Sequence, residues 1–116
     1  MKKYIVIGKT TAENSAAMVN KPQDRRKIVQ PLLDAFGVEM SEFLIVNHPD
    51  FNFMGVITGD SDESMQSAWN IIYASGAWSL FTWYRAFESN EMKEIYEDSS
   101  QKMQSYISSI QEAGKT

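Results

Sequence analysis

The 116-residue sequence contains no cysteine and a single histidine, His48. Without cysteine the chain has no disulfide, no thiol nucleophile and no thiolate metal site. One histidine, in neither an HxH nor an HExxH spacing, leaves only carboxylates to bind a metal, so we expect no metal site and no cofactor. The sequence also lacks the nucleophile elbow of serine hydrolases and the glycine-rich loop that binds nucleotide phosphates.

Long apolar runs and an excess of positive charge are missing too. The first apolar run extends only from Tyr4 to Ile7, short of the roughly 7–15 residues of a signal peptide and the roughly 20 of a membrane span. We therefore expect a soluble, cytoplasmic protein without a membrane partner. The net charge of −4 argues against a nucleic-acid partner. The one basic cluster, Arg25-Arg26-Lys27, is most simply a solvated helix face, with phosphate binding as the alternative.

Short apolar runs alternate with amphipathic segments. Clusters of β-branched and aromatic residues between turn residues predict strands at 3–9, 38–46, 51–58 and 78–87. A first helix is predicted over 22–36, with Pro31 as an interruption. A second is predicted over 60–75 from the helical spacing of Met65, Ala68, Trp69 and Ile72. The polar stretch 10–21 could hold a helical turn through Ala16, Ala17 and Met18.

The predicted order β-α-β-β-α-β is that of the ferredoxin-like fold. Since crossover connections are right-handed, both helices should lie on one face of an antiparallel four-stranded sheet. The predicted class is therefore α+β. Residues 1–88 would form the ferredoxin-like domain, and residues 89–116 a C-terminal helical extension of the same domain.

The stretch 89–113 contains neither proline nor glycine and predicts one long helix, which Asp98-Ser99-Ser100 could bend or split. A seam with spacings of four and three runs along it, formed by Met92, Tyr96, Ser99, Met103, Tyr106 and Ile110. This helix would either dock on its own domain or pack across a subunit boundary.

Both faces of the predicted sheet are apolar. Alternation in the strands separates Tyr4 and Val6 from Ile5 and Ile7, Phe51, Phe53 and Ile57 from Met54 and Val56, and Trp78, Leu80 and Tyr84 from Phe81 and Trp83. Helices cover only one face, and an exposed apolar face of this size would be a liability. We favour the sheet of a second copy as the cover, which gives a two-fold homodimer, over the C-terminal helix.

Several stretches follow one another in a recognisable order. They are KYIVIGKTTAEN at the start, Asp24-Arg25 at the first helix, AFGV at 35–38, Glu42-Phe43 in the second strand and TWYRAF at 82–87. This pattern resembles the GYD domain family, small bacterial proteins of the dimeric α/β-barrel superfamily. The resemblance covers roughly residues 3–90 and implies a dimeric α/β barrel. The superfamily includes cofactor-independent monooxygenases, small-molecule-binding proteins and haem proteins, and the fold alone does not choose among them.

The motif that names the family is altered in this chain. Where the family has a Gly and then Tyr-Asp at the turn into the third strand, this sequence has Pro49 and then Phe51-Asn52. The resemblance therefore does not bring the phenol and the carboxylate of the motif to this chain, and chemistry that uses them is not expected.

Candidate site residues lie around this turn and inside the apolar segments. His48, next but one to Asp50, could act as a general base, but a solvent-exposed turn histidine is the favoured interpretation. Polar, methionine and tryptophan side chains are candidates for a ligand pocket: Asn52, Met54, Trp69, Trp83 and Arg85. A buried Arg85 would hold a ligand carboxylate or pair with Glu88 or Glu91. The aromatic rings could instead form the core or a dimer interface.

Three functions fit these residues. The first is a homodimer that binds a small, partly apolar molecule between sheet and helices. The second is a cofactor-independent monooxygenase-like or isomerase-like enzyme that uses His48 or Arg85. The third is a structural or regulatory dimerisation domain. An enclosed cavity lined by Trp69, Trp83 and Arg85 would favour binding or catalysis, whereas solid packing of the rings would favour the third.

Overall fold

The computed structural model describes residues 1–114, so Lys115 and Thr116, the end of the predicted extension, lie outside the described residues. The chain divides into two compact units, Met1–Ala86 and a second that begins at Phe87. The first contains β1 (Lys2–Thr10), α1 (Ala12–Asn20), α2 (Arg25–Ala35), β2 (Glu39–Ile45), β3 (Phe53–Gly59), α3 (Asp62–Ala74) and β4 (Trp78–Ala86). The predicted membership of both parts in one domain stays a prediction.

The four strands of the first unit form an antiparallel sheet in the order β2-β3-β1-β4. The connection from β1 to β2 contains α1 and α2, and α3 connects β3 to β4. This order and connectivity are those of the ferredoxin-like fold. The predicted α+β class is therefore confirmed.

Side chains alternate between the two faces of this sheet. The covered face carries Tyr4, Val6, Phe53, Ile57, Phe81 and Trp83, which the strand register places side by side. These residues pack with Leu33 of α2 and Met65 of α3 around the buried core. The open face carries Ile5, Ile7, Leu44, Met54, Val56, Leu80 and Tyr84. The residues of β1 and β3 thus divide between the faces as their alternation predicts.

α3 begins and ends at residues suited to those positions. The Oγ of Ser61 accepts a hydrogen bond from the backbone N–H of Ser64 at 3.1 Å, which satisfies one of the free donors of the first turn. Asp62 and Glu63 place negative charge at the positive end of the helix. Gly76 follows the helix with a φ of 75°, a conformation that glycine adopts without strain.

α1 is a complete helix, Ala12–Asn20, where the polar sequence suggests only a turn. The Oγ1 of Thr11 accepts from the backbone N–H of Asn14 at 3.1 Å and caps its start. None of its residues is buried, so the stretch lacks the strong apolar stripe by which helices are recognised in a sequence. α2 also begins later than predicted, at Arg25, and contains Pro31 within it.

The second unit is not the single long helix that the seam predicts. α4 (Ser89–Lys102) is followed by a 3-10 turn at Met103–Ser105 and by a short helix, α5 (Ser109–Gly114). The seam residues that follow α4, Met103, Tyr106 and Ile110, are exposed. Because most helical stability in proteins comes from packing of an apolar face, exposed seam residues do not stabilise one continuous helix.

β4 departs from simple alternation at its start. Alternation groups Trp78 with Leu80, but the pairing of β1 with β4 shifts register between Lys9 and Thr10. This bulge inserts one residue into β4. It turns Trp78 to the covered face, where the ring centroids of Trp78 and Phe81 are 5.0 Å apart. The predicted grouping was therefore wrong for Trp78.

Candidate functional site

A cavity of about 530 Å³ lies in the first unit, between the covered face of the sheet and the helices. Its volume falls within the range of about 300–1,000 Å³ typical of small-molecule sites. The sheet contributes Val6, Phe53, Ile57 and Phe81 to its lining, and α1, α2 and α3 contribute further side chains. Most of these side chains are apolar, so the fold leaves an apolar space beside its core.

Two helical stripes face this cavity. On α2 the lining residues are spaced i, i+3, i+4, i+7 and i+8: Arg25, Ile28, Val29, Leu32 and Leu33. On α3 they include Met65, Ala68, Trp69 and Ile72. The apolar residues that predict the helices therefore also line the cavity, and Arg25 continues the α2 stripe to the first residue of the helix.

All three tryptophans of the sequence line the cavity. The indole N–H of Trp69 donates to the backbone carbonyl of Phe81, and that of Trp83 donates to Oε1 of Gln66 at 3.1 Å. The Trp69 ring also stacks on Tyr73, with ring centroids 4.6 Å apart. Because both N–H groups bond within the protein, these two rings present mainly apolar surface to the cavity.

Trp78 packs directly against Gly8. A Cβ atom at Gly8 would lie 2.7 and 2.8 Å from ring atoms of Trp78 and 3.0 Å from Phe81. Trp78 also contacts Phe53, with ring centroids 5.5 Å apart. The absence of a side chain at Gly8 therefore determines where this part of the cavity wall lies.

One corner of the cavity is polar, where β1 ends and β3 begins. The Oδ1 of Asn52 accepts from the backbone N–H of Thr10 at 3.1 Å, and its Nδ2 donates to Oγ1 of Thr10 at 2.8 Å. The same Oγ1 lies 2.6 Å from Oγ of Ser15. The backbone N–H of Asn52 donates to the carbonyl of Gly8 at 3.0 Å. Asn52 thus joins the two strand ends at the edge of the cavity.

The structure places three of the five pocket candidates in the cavity lining: Asn52, Trp69 and Trp83. Met54 lies on the open face, because alternation in β3 turns it away from the helices. Arg85 belongs to the covered face but is not among the lining residues.

Arg85 lies at the other end of the sheet, beside Tyr4. Its Nη1 donates to the carbonyls of Lys3, at 3.4 Å, and Ala86, and its Cζ is 5.8 Å from the centre of the Tyr4 ring. Tyr4 is fully buried, and its hydroxyl donates to Oδ1 of Asp62 at 2.7 Å. Burial, followed by the hydrogen bond and the charge of Asp62, raises the pKa of Tyr4 to about 12. The protonated hydroxyl therefore joins β1 to α3 as a donor.

His48 lies in the connection between β2 and β3 and is not among the cavity-lining residues. Its Nδ1 accepts a hydrogen bond from the backbone N–H of Asp50 at 3.1 Å, and its ring stacks on Phe51 with centroids 4.4 Å apart. The Asp50 carboxylate is 4.0 Å from the same nitrogen. Since Nδ1 is an acceptor here, it does not donate to the carboxylate as in the His–Asp pair of a proton-transfer site.

Arg25 is a cavity residue that was not selected from the sequence. Within a run of three basic residues it has the pattern of a solvated face. The signal that identifies it is its spacing, because Arg25 lies three residues before Ile28 and four before Val29 and so shares their side of α2. Arg26 and Lys27 do not line the cavity.

The described residues offer neither a membrane-spanning helix nor a cluster of metal ligands. None of their helices combines the length with the apolar character that crossing a bilayer requires. No group of three or more His, Asp or Glu side chains in that part of the chain is placed to hold a metal ion. The groups available at the cavity are apolar surface, amides, hydroxyls and one guanidinium.

The β2-β3-β1-β4 sheet and its helices define a small α+β domain of the ferredoxin-like class. The GYD domain family model matches residues 4–96, and the chain belongs to this family. The family suggested by the short motifs is thus confirmed. No curated protein and no solved structure matches the chain.

Proposed function

We propose that the protein is a homodimer that binds a small, partly apolar molecule in the cavity between its sheet and helices. The observation that carries this proposal is a cavity of about 530 Å³ in a chain of 116 residues. Protein interiors are close-packed, with few voids larger than a water molecule. A much larger space walled by large side chains supports a binding function.

The cavity walls are held by contacts within the protein, which supports binding over packing alone. Trp69 and Trp83 are fixed by their indole hydrogen bonds, and Trp78 is seated on Gly8. Rings that served only the core would be expected to fill the space between sheet and helices. A site whose walls are already ordered also loses little conformational freedom when a ligand enters.

Binding is favoured over proton-transfer catalysis by the composition of the lining. Among the described residues that line the cavity there is no His, Asp, Glu, Lys or Tyr, and the single charged side chain is Arg25. A guanidinium stays protonated in proteins and cannot act as a general base. His48 and Arg85, the residues that an enzyme was expected to use, are not part of the lining.

The open face supports the homodimer. It presents a contiguous set of apolar side chains on adjacent strands, and Tyr84, which pairs with Ile5 across the β1–β4 edge, is 53% exposed. Apolar surface of this kind is typical of an interaction site. Face-to-face packing of two identical sheets about a two-fold axis would bury it in a closed assembly.

Native mass spectrometry of the freshly purified protein tests the binding function. We expect an added small mass on the wild-type protein. Ala68→Trp, which places a large ring in the cavity from α3, should remove it, whereas Ala17→Trp on the exposed side of α1 should retain it. An unchanged added mass in the Ala68→Trp protein would contradict the proposed site.

Sedimentation at micromolar concentration tests the homodimer. We expect about twice the chain mass of 13.2 kDa for the wild-type protein. Tyr84→Glu places a charge on the open face and should shift the protein to monomers. Val19→Glu, at an exposed apolar residue of α1, is the matched control and should leave the dimer intact. A wild-type monomer would overturn the dimer without affecting the cavity.

A further inference from the structure

We propose that the ligand of the cavity is an apolar carboxylic acid, bound as its anion, with the apolar body inside and the carboxylate held by Arg25 at the rim. This inference rests on the proposed binding function and adds the chemical class of the molecule. Three observations support it: the charge of the lining, the position of Arg25 on α2, and the neutral hydrogen-bond partner of its guanidinium.

The cavity lining and the whole protein differ in the sign of their charge. The sequence has 15 acidic and 11 basic residues. Among the described residues that line the cavity, however, there is no carboxylate and one cation, Arg25. Charged side chains around a low-dielectric cleft select ligands of the opposite sign. Arg25 therefore attracts a negatively charged ligand. A positively charged ligand would find no carboxylate in the lining to neutralise it.

Arg25 lies at the rim of the cavity, where the charged end of a ligand would meet solvent. It is the first residue of α2, on the same stripe as Ile28, Val29 and Leu33. Along this stripe exposure falls from Arg25 and Ile28, which are exposed, to the half-buried Val29 and the buried Leu33. The stripe thus leads from a charged rim to an apolar interior, which matches a molecule with a charged end and an apolar body.

The guanidinium of Arg25 has capacity to bind an anion. Its Nη1 donates to Oε1 of Gln23 at 2.9 Å, and this neutral amide orients the side chain without cancelling its charge. A guanidinium carries five N–H donors in a planar fork that fits a carboxylate. Asp24 precedes Arg25 as the N-cap residue of α2, but it does not line the cavity and its side chain makes no capping hydrogen bond.

Three exposed isoleucines share the rim with Arg25. Ile45 of β2 and Ile71 of α3 line the cavity together with Ile28, and all three are exposed, Ile45 by 71%. Exposed isoleucines beside one cation offer both kinds of contact that an amphipathic anion needs. A purely polar anion such as inorganic phosphate would leave this apolar surface in water.

Two matched probes test this inference: 4-cyclohexylbutanoate and its neutral amide, 4-cyclohexylbutanamide. Binding is followed by tryptophan fluorescence, since all three tryptophans line the cavity. At low salt we expect the carboxylate to bind the wild-type protein about fivefold more tightly than the amide, the size of a charge-assisted hydrogen bond at a partly exposed site. Added salt should reduce that preference, because the rim is open to solvent.

Two variants assign the preference to one residue. Arg25→Gln should bring the two affinities together, whereas Lys27→Gln removes the same charge from the same helical turn outside the lining and should retain the difference. Equal binding of both probes to the wild type, or a preference unchanged in Arg25→Gln, overturns the inference and leaves the binding function standing. Failure of both probes to bind the wild type at millimolar concentration contradicts both.

Discussion

The two faces of the sheet consist of alternate residues of the same strands, yet they differ in what covers them. On the covered face Tyr4 and Val6 are 0% and 2% exposed beneath the helices, and Val6 lines the cavity. On the open face Leu44, Leu80 and Tyr84 remain exposed. Both faces carry apolar side chains from all four strands. An apolar strand therefore indicates that a surface is to be buried, but not whether a helix, a ligand or a second chain buries it.

The largest effect that separates the two faces is expected from two isoleucines in neighbouring strands. Ile57→Ala removes a side chain that is 6% exposed in the core and should lower the free energy of unfolding by about 2–4 kcal/mol. Ile7→Ala, on the open face, should cost about 1 kcal/mol or less in dilute protein. If the proposed dimer buries this face, its cost should increase at concentrations high enough for two copies to associate.

Urea denaturation at submicromolar and at tens of micromolar protein measures both costs. An equal loss of unfolding free energy for the two variants in dilute protein would show that the open face is buried within one chain, as the covered face is.

The next effect concerns the covered face alone. Gly8→Ala forces a Cβ to within 2.8 Å of the Trp78 ring and should cost about 1–3 kcal/mol through overpacking. Gly8→Ala should cost less when it is made in the Trp78→Leu variant than in the wild type, because the two sites are in contact. Gly114→Ala, where nothing lies within 4 Å of the new Cβ, is the control and should change stability little. Additive losses in the double variant, measured by urea denaturation, would contradict the contact.

Much of this fold follows from local patterns in the sequence, and the differences have physical causes. The apolar spacing of Met65 and Trp69 predicts α3 because its cap and its terminal glycine agree with that spacing. α1 escapes prediction because none of its residues is buried. The seam of 89–113 predicts a continuous helix, but its residues after Lys102 are exposed, and packing rather than spacing holds a long helix together.

The candidate site was only partly predictable for a related reason. Trp69 and Trp83 are large rings on apolar elements, which makes them candidates in the sequence, and the topology brings them to one cavity. Met54 has the same apolar character, but alternation alone does not tell which face the helices cover. Arg25 was grouped with its basic neighbours, although its charge matters through its place on the α2 stripe.

A smaller effect tests the polar corner of the covered face. Asn52→Ala removes the hydrogen bonds to the backbone and the side chain of Thr10 and should cost about 1–2 kcal/mol. Asn52→Asp should cost less, since a carboxylate can accept from both groups of Thr10. Asn47→Ala, an exposed asparagine of the same connection, is the control. Stability is measured by thermal or urea unfolding. An Asn52→Asp variant less stable than Asn52→Ala would contradict the assigned hydrogen bonds.

The smallest effect compares a tyrosine from each face. Burial and Asp62 raise the pKa of Tyr4 to about 12, above the value of about 10 for an unfolded tyrosine. The unfolded chain therefore loses this proton first, and the stability contributed by the protonated Tyr4 is complete below pH 10 and lost as the pH rises from 10 through 12.

Tyr4→Phe should cost about 1 kcal/mol at pH 8, where it removes only the hydrogen bond to Asp62. Because the variant lacks the ionisation, its disadvantage relative to the wild type should shrink between pH 10 and pH 12. Tyr84→Phe removes an exposed hydroxyl of the open face and, in submicromolar protein where no dimer is expected, should change the stability at pH 8 little. Urea denaturation at pH 8, 10 and 11.5 measures these differences. A difference in unfolding free energy between wild type and Tyr4→Phe that stays constant with pH would mean that Tyr4 ionises as readily in the folded chain as in the unfolded one. That result is incompatible with the burial of Tyr4 beneath the helices.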